Sequence, residues 1–476
     1  MRTEITRRTF LGAAGLVATG SWLLSTVSAA EPNGLRAGAA TADITPALGV
    51  SLSGPISKRG PAQRIVTPLD ARALVLDNGR ERIAFVVCDC TIIYRDIVDR
   101  AKRLVQERTG LPPERIVIAS THSHAAPRVG LATGELDLQY YDLFCQGIAD
   151  AISTAIENLA PAEVGWGVGS KPEFVRCRRD LLEPGTLAMD PFGEQKDRAV
   201  MRGGNQVTRP AGPADPQVGV LSVQHADGRP MAVLASFPVH YVTGDKRGDV
   251  TADYWGHFAD RLATLMKTDK AGPPFVGIMA RSPGGDIAPY RGGYDGMKKL
   301  GHALAEEAFR VCQQIEYRDQ VPLGVCQSTI DVDVRRPDTK RIEWANAVLA
   351  GTWKGKGLRN SKIYAQQALE LAQFPATVPV CLQAFRVGDL GITTVPCELF
   401  ASTGIAIRKD SPLQPYFNID MANGFWCYLP PPEQHKLGGY TTWAATSSCF
   451  EVEAEPKILR ELLRLLHEVA RPADRE

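Results

Sequence analysis

The chain holds 476 residues, 44% hydrophobic and 22% charged, with 54 basic residues against 53 acidic ones. That composition belongs to a globular protein with a sizeable core, built as one large α/β unit or as a few domains. A near-neutral balance without a basic stripe excludes an electrostatic grip on nucleic acid or on an anionic membrane.

The chain opens with Thr6-Arg7-Arg8-Thr9-Phe10-Leu11, an uncharged and largely apolar run over residues 12–27, and the small-residue site Val27-Ser28-Ala29. This order predicts a Tat-type signal peptide over residues 1–29, cleaved on export to the periplasm or the medium. The run is short and studded with Gly, Ser and Thr, which argues against a membrane anchor. Removing residues 1–29 takes away three arginines and one glutamate, leaving 51 basic against 52 acidic residues. No later apolar stretch is long enough to span a bilayer. Ten scattered cysteines permit disulfides after export but show no small-domain framework.

Residues 30–36 read as a linker. Apolar runs at 74–76 and 83–87 flank Asp77-Asn78-Gly79, a hairpin signal. Ile97, Val98, Ala101, Leu104 and Val105 form one stripe within residues 94–109, with Gly110 as a stop, and predict a helix. Arg115-Ile116-Val117-Ile118-Ala119 predicts a buried strand, and residues 138–159 a long helix. This alternation gives the class α/β, with mixed β-sheets flanked by helices. Residues 183–216 are rich in Gly, Pro and charge, and read as a long active-site or surface loop. Its Leu187, Met189, Phe192, Val200 and Met201 suit an adaptable apolar lip. Residues 218–223 and 231–237 flank Ala226-Asp227-Gly228, a second hairpin. Helices are expected at 253–266 and 297–315, with a strand at 275–280 between them. Strands at 380–387 and 390–395 and a closing helix at 456–470 complete the pattern.

Chemistry concentrates where strands end. Two of the eight histidines stand one residue apart in Ser120-Thr121-His122-Ser123-His124, directly after the buried strand at 115–119. His240 follows the second hairpin, and Glu398 follows the strand at 390–395. Neutral imidazole is the commonest protein ligand for zinc, and two His with one carboxylate leave a coordination position open for water, the catalytic arrangement. Strand ends gathered on one rim let such distant residues meet, so the metal site is expected at the C-terminal ends of strands. Serine chemistry has no support, because no G-x-S-x-G elbow follows a strand.

Motifs along the chain resemble the neutral/alkaline non-lysosomal ceramidases. Thr41-Ala42-Asp43-Ile44-Thr45-Pro46 resembles the D-I-T-P signature, and Pro68-Leu69-Asp70-Ala71-Arg72-Ala73-Leu74 the D-P-L-x-A-R-A-L segment. Thr121-His122-Ser123-His124 matches T-H-T-H, with Ala125-Ala126-Pro127 in place of the Gly-rich tail. Phe237-Pro238-Val239-His240 is similar to F-A-V-H, Ala252-Asp253-Tyr254-Trp255-Gly256 to A-D-Y-P-G, and Gly285-Asp286-Ile287-Ala288-Pro289 to the G-D-x-S/N-P loop. These elements run in the family's order over nearly the whole chain after residue 29.

The resemblance implies one zinc ion per chain, bound by His122, His240, Glu398 and Tyr428. It also places a second tyrosine at Tyr440. The activity implied is cleavage of the N-acyl amide of ceramide or a ceramide-like lipid by a domain spanning residues 30–476. On that reading His124 is the general base, Tyr440 the donor to the oxyanion, and Asp286 an orienting residue. Arg176-Cys177-Arg178-Arg179 is only loosely similar to the family's substrate-side N-R-S element. The family's C-terminal Ig-like sandwich is expected to be missing, since a helix closes the chain. A small-molecule lipid or N-acyl substrate is the expected partner, with room for transient contact with a membrane surface and no nucleic acid. Nothing in the sequence assigns an oligomeric state. Two rivals stand beside this reading: an exported metallohydrolase of the same fold acting on another ester or N-acyl substrate, and a non-catalytic metal-binding exported protein.

Overall fold

The computed structural model describes residues 34–53, 58–201, 206–267, 272–358 and 360–471. The expected signal peptide at 1–29 lies outside the described residues. The expected linker ends earlier than the sequence suggests, because Leu35 is buried and its N–H donates to the Asp319 carbonyl at 2.6 Å.

The main sheet has eight strands: β1 Arg36–Asp43, β2 Asp70–Asp77, β3 Arg82–Cys88, β4 Ile116–Ser120, β5 Ala160–Ser170, β6 Gln217–His225, β7 Pro230–Phe237 and β8 Val276–Arg281. Their order is β8-β7-β6-β5-β1-β2-β3-β4. Only the outer pairs, β7/β8 and β3/β4, are parallel. All inner pairs are antiparallel. Both expected hairpins are present, as β2/β3 and β6/β7.

Apolar runs make these strands because both faces are covered. Helices α1 Arg95–Thr109 and α2 Glu135–Glu157 lay Val98, Ala101, Phe144 and Ile148 over Val75, Val86 and Ile118. Helices α3 Asp253–Met266 and α4 Gly293–Cys312 lay Phe258, Leu262 and Leu304 over Val220, Val233 and Met279. Helix α1 stops at Gly110, which takes the left-handed conformation (φ 72°) and donates to the Gln106 carbonyl.

A second sheet contains β9 Leu323–Asp333, β10 Thr377–Val387, β11 Leu390–Thr394 and β12 Tyr416–Ile419, in that order. Its Phe385, Ile392 and Phe417 join Phe85, Leu234 and Ile278 in one apolar cluster between the sheets. The remaining helices are α5 Thr339–Leu349, α6 Ser361–Leu371, α7 Ala401–Asp410, α8 Pro432–Leu437 and α9 Ala454–Ala470. The closing α9 packs Ile458, Leu462 and Leu466 under Val378, Val380 and Leu382.

The expected rim of parallel strand ends takes another form. Counted through the sheet, β4 and β7 run in opposite directions, so no common parallel rim joins them. Instead the sheet curls until β8 packs against β2, β3 and β4. Residues 420–423 then run between the two edges. Asp420 N–H donates to the Arg281 carbonyl, the Met421 carbonyl accepts from Ser120 N–H, and Asn423 N–H donates to the Ile118 carbonyl. These bonds satisfy backbone groups that an open edge would expose, and they bring the ends of β4, β7 and β8 together.

The expected loop at 183–216 also differs. Ala199–Met201 and Val207–Pro210 pair on either side of Arg179–Leu182 in a small antiparallel sheet. Phe192 is buried under Trp344 and Tyr364, and so serves as an anchor rather than a lip.

Candidate metal and active site

His122 stands two residues beyond β4 with a φ of 70°, a left-handed conformation that costs a non-glycine residue about 1–2 kcal/mol. Two bonds hold it there. Its N–H donates to the Cys90 carbonyl at 3.0 Å, and its ring Nδ1 lies 2.7 Å from the Thr91 carbonyl. A carbonyl can only accept, so Nδ1 carries the proton and Nε2 presents a lone pair. His124 Nε2 lies 3.2 Å from that atom. Its ring stacks on Tyr241, with centroids 3.7 Å apart and planes 14° from parallel.

His240 follows β7 and is buried, its ring centroid 4.8 Å from that of His122. Its Nδ1 sits 3.4 Å from the Gly284 carbonyl and 3.0 Å from Arg281 Nη2. Donor atoms of His122, His124 and His240 all lie within 4.8 Å of one another.

Glu398 arrives from the other sheet. Glu398–Leu399 pairs in parallel with Tyr428–Leu429, which sets Glu398 beside Tyr428. Glu398 Oε1 is 3.8 Å from His122 Nε2, and Oε2 is 3.5 Å from His240 Nδ1. Oε2 accepts from Arg281 Nη2 at 2.8 Å, whereas Oε1 is buried without a hydrogen-bond partner. The structure therefore brings His122, His124, His240 and Glu398 to one point. The parallel pairing stands Tyr428 beside Glu398, with Tyr440 beside Tyr428. The two tyrosine rings lie 5.7 Å apart.

This donor set suits a divalent cation. Donors bound at 2.0–2.2 Å to one tetrahedral ion stand about 3.4 Å apart, and the 3.8 Å from His122 Nε2 to Glu398 Oε1 lies close to that value. A buried carboxylate oxygen without a partner is costly unless a cation answers it. Burial pushes all three imidazoles well below the ordinary histidine range, with Arg178 and Arg281 adding to the effect. They are therefore neutral, the form that binds metal or accepts a proton. Burial raises the Glu398 carboxyl, and Arg281 and Arg178 oppose that rise.

Three neighbours escape a reading of the sequence. Arg281, fully buried at the end of β8, donates to Glu398 at 2.8 Å beside His240. Arg178 lies over the rings of Tyr428 and Tyr440 at 5.1 and 5.7 Å and donates to the Gly285 carbonyl at 2.5 Å. Tyr241 fixes the plane of His124. The charged run at 176–179 carries the only advance sign of Arg178. Asp286 stands off the centre, where its Oδ1 accepts from Ala401 N–H at 2.8 Å and caps α7.

A cavity of about 480 Å³ opens beside Glu398 and Tyr428, walled by Ile92, Leu131, Phe374, Phe425 and Trp426. Leu187, Met189, Phe192, Val200 and Met201 do not line it. All ten cysteines are free thiols, nine of them buried.

Fold and site together define an α/β protein whose curled sheet and second sheet converge on a buried histidine–carboxylate cluster. The family described as neutral/alkaline non-lysosomal ceramidase, N-terminal, matches residues 35–314, more than half of the chain, and the chain belongs to it. The neutral ceramidase of Pseudomonas aeruginosa is 23% identical over 412 residues, which cover 71% of this chain and 57% of that protein. The chain thus spans little more than half the length of that curated relative. The crystal structure of neutral ceramidase from Pseudomonas aeruginosa shares the fold with a TM-score of 0.67 at 18% identity, over 93% of this chain and 76% of that one. A ceramidase complexed with C2 gives the same TM-score at 16% identity, over 93% and 77%.

Proposed function

We propose that the protein is a zinc-dependent amidohydrolase that cleaves the N-acyl amide bond of ceramide or a ceramide-like N-acyl lipid. The observation that carries this reading is the partnerless Glu398 Oε1 facing the lone pair of His122 Nε2 in a buried cluster of neutral imidazoles. One zinc ion, held by His122, His240 and Glu398 with Tyr428 as fourth donor, would activate water and polarise the amide carbonyl. His124, kept neutral by burial and oriented by Tyr241, takes a proton from the attacking water at Nε2 and returns it to the leaving amine. Tyr440 donates to the oxyanion, a role worth roughly 3 kcal/mol in other hydrolases. Arg281 opposes the upward push of burial on the Glu398 carboxyl and holds it in place through its bond at 2.8 Å. The apolar walls beside Glu398 support a lipid-like substrate in the cavity.

Residues 1–29 act in this proposal as a Tat-type export signal and residues 30–476 as the hydrolase domain. No helix among the described residues is long and apolar enough to cross a membrane, which is compatible with a periplasmic or extracellular enzyme that meets lipid at a surface. A second reading makes His124 a ligand, because its donor atom lies as close to the others as theirs do. Metal analysis of purified protein, paired with turnover of ceramide, N-acyl sugars and esters, tests the proposal. Stoichiometric zinc with preferential hydrolysis of long-chain amides supports it. Ester turnover alone, or bound metal without hydrolysis, moves the protein to one of its rivals.

A further inference from the structure

Arg128 follows the T-H-S-H motif at the point where Ala125-Ala126-Pro127 replaces the family's Gly-rich tail. It lies on the short strand Arg128–Val129, paired in parallel with Ile92–Ile93. Its guanidinium sits 5.0 Å over the Tyr94 ring, a contact that fixes the plane and leaves the N–H edges free. The buried Nε has no hydrogen-bond partner, and no ion pair engages Arg128 among the described residues. Neighbouring Arg95, by contrast, is committed to Asp99 at 2.7 Å.

This free cation lines two cavities. One is the cavity of about 480 Å³ that reaches Glu398 and Tyr428, and the other, of about 360 Å³, shares Arg128 and Leu131 with it. Gln367, buried in the wall of the first, also keeps Oε1 without a partner. Asp96 and Glu370 line the same cavity from exposed positions; the Glu370 charge acts on Arg128 but forms no ion pair with it. Apolar walls, a fixed guanidinium edge and an amide are a poor match for a wholly neutral lipid. An unpaired arginine in such walls is costly until an anion meets it.

We propose that Arg128 is a specificity-determining residue that recognises a carboxylate on the amine portion of the substrate, so that the preferred substrate class is N-long-chain-acyl amino acids. This rests on the amidohydrolase reading above. Hydrolysis then adds hydroxyl to the acyl carbon and a proton to the amine nitrogen as the C–N bond breaks. A fatty acid and a free amino acid leave, and no oxidant or reductant is needed.

The test uses the full chain and two probes of equal chain length, N-lauroylglycine and N-lauroylethanolamine. Fluorescence of Trp426, in the wall of the same cavity, reports binding without turnover. The parent protein should bind the glycine conjugate at least ten-fold more tightly than the ethanolamide, and Arg128→Gln should erase that ratio. Arg128→Lys keeps the charge but loses the fork, and should retain a ratio of about three-fold, which covers the case in which Arg128→Gln fails to fold. Equal binding of both probes by the parent, or an unchanged ratio in the variants, overturns the inference. Turnover of the zinc-loaded protein separates the two claims. An Arg128-dependent binding ratio without hydrolysis of either probe removes the amidohydrolase reading and leaves the anion site. Equal, Arg128-independent hydrolysis of both does the reverse.

Discussion

Residues 35–314 and residues 315–471 contribute to the site by different means. The first region delivers His122, His124, His240 and Arg281 from the ends of long buried strands, and main-chain carbonyls fix the rings of His122 and His240. The second delivers Glu398 and Tyr428 on a two-residue parallel pairing, which has little stability of its own. Two bonds from across the interface help hold Glu398: Arg281 grips its carboxylate, and Gly285 N–H donates to the Leu399 carbonyl at 2.7 Å. A preformed histidine side thus meets a carboxylate side that depends on docking. Mutations on the two sides should therefore fail differently.

The largest effect is expected on the histidine side. His122→Ala removes the one nitrogen that faces both His124 and Glu398, so bound zinc should fall below a tenth of stoichiometric and turnover by 1000-fold or more. Roughly that loss follows from taking one ligand out of a site near the minimum that retains catalytic zinc. Inductively coupled plasma analysis with parallel assays checks it, and a variant that keeps its metal breaks the assignment. His124→Ala should lower turnover by about 100-fold while zinc stays near stoichiometric. Equal loss of metal and activity would make His124 a ligand and give the histidine side three donors.

The contrast between the regions also marks what the sequence reveals. Runs such as Ile116-Val117-Ile118 announce buried strands, so the strand ends bearing His122 and the approach to His240 are legible residue by residue. Helix α1 is legible from its stripe and from Gly110. Strand β9 is not, because one face is exposed and its Gln327, Thr329 and Asp331 read as surface. Helix α5 buries only Ala345 and Val348, and α6 buries Ser361 and Gln367 among its apolar positions, so neither gives a long apolar period. Glu398 is legible from its place after the strand at 390–395, whereas Tyr428 comes from family resemblance, since a two-residue pairing has no periodic signal. Arg281 is invisible for another reason: a buried arginine is written like a surface one until its carboxylate partner is placed beside it. The curl that joins β4 to β7 depends on contacts between distant strands, and no local pattern encodes it.

A smaller effect probes the docking itself. A Cβ on Gly285 would lie 2.6 Å from the Glu398 carbonyl oxygen and 2.9 Å from that of Leu399, both backbone atoms that cannot swing aside. Gly285→Ala should therefore push the carboxylate strand outward while leaving the three histidines in place. Zinc affinity is expected to drop by about 10-fold, less than for His122→Ala, as for loss of a supporting contact rather than a ligand. Competition with a chelator measures it. Unchanged affinity would show that Glu398 is held without the interface, and the proposed asymmetry would disappear.

The smallest effect tests the carboxylate side through pH. His435 lies on α8, in the segment that leads to Tyr440, and Arg179 pins this segment through bonds to Gln434, Gly438 and Thr441. Burial, followed by the charges of Arg335 and Arg179, pushes the His435 imidazole down to about 3. An unfolded histidine titrates near 6.5. Below that pH the unfolded chain takes up a proton that the folded chain refuses, so this stabilising contribution is complete above about pH 6.5 and is lost as pH falls toward 3. His435→Gln removes the titration and keeps an amide of similar reach. The buried site histidines act in the same direction, but they are common to both proteins and cancel in the comparison. Relative to the parent, the variant should therefore gain in thermal midpoint between pH 8 and pH 4.5, by a few degrees at most. A parent–variant difference that is the same at both pH values would mean that α8 does not hold His435 neutral. The packing that carries Tyr440 to the site would then have to be looser than the contacts around Arg179 imply.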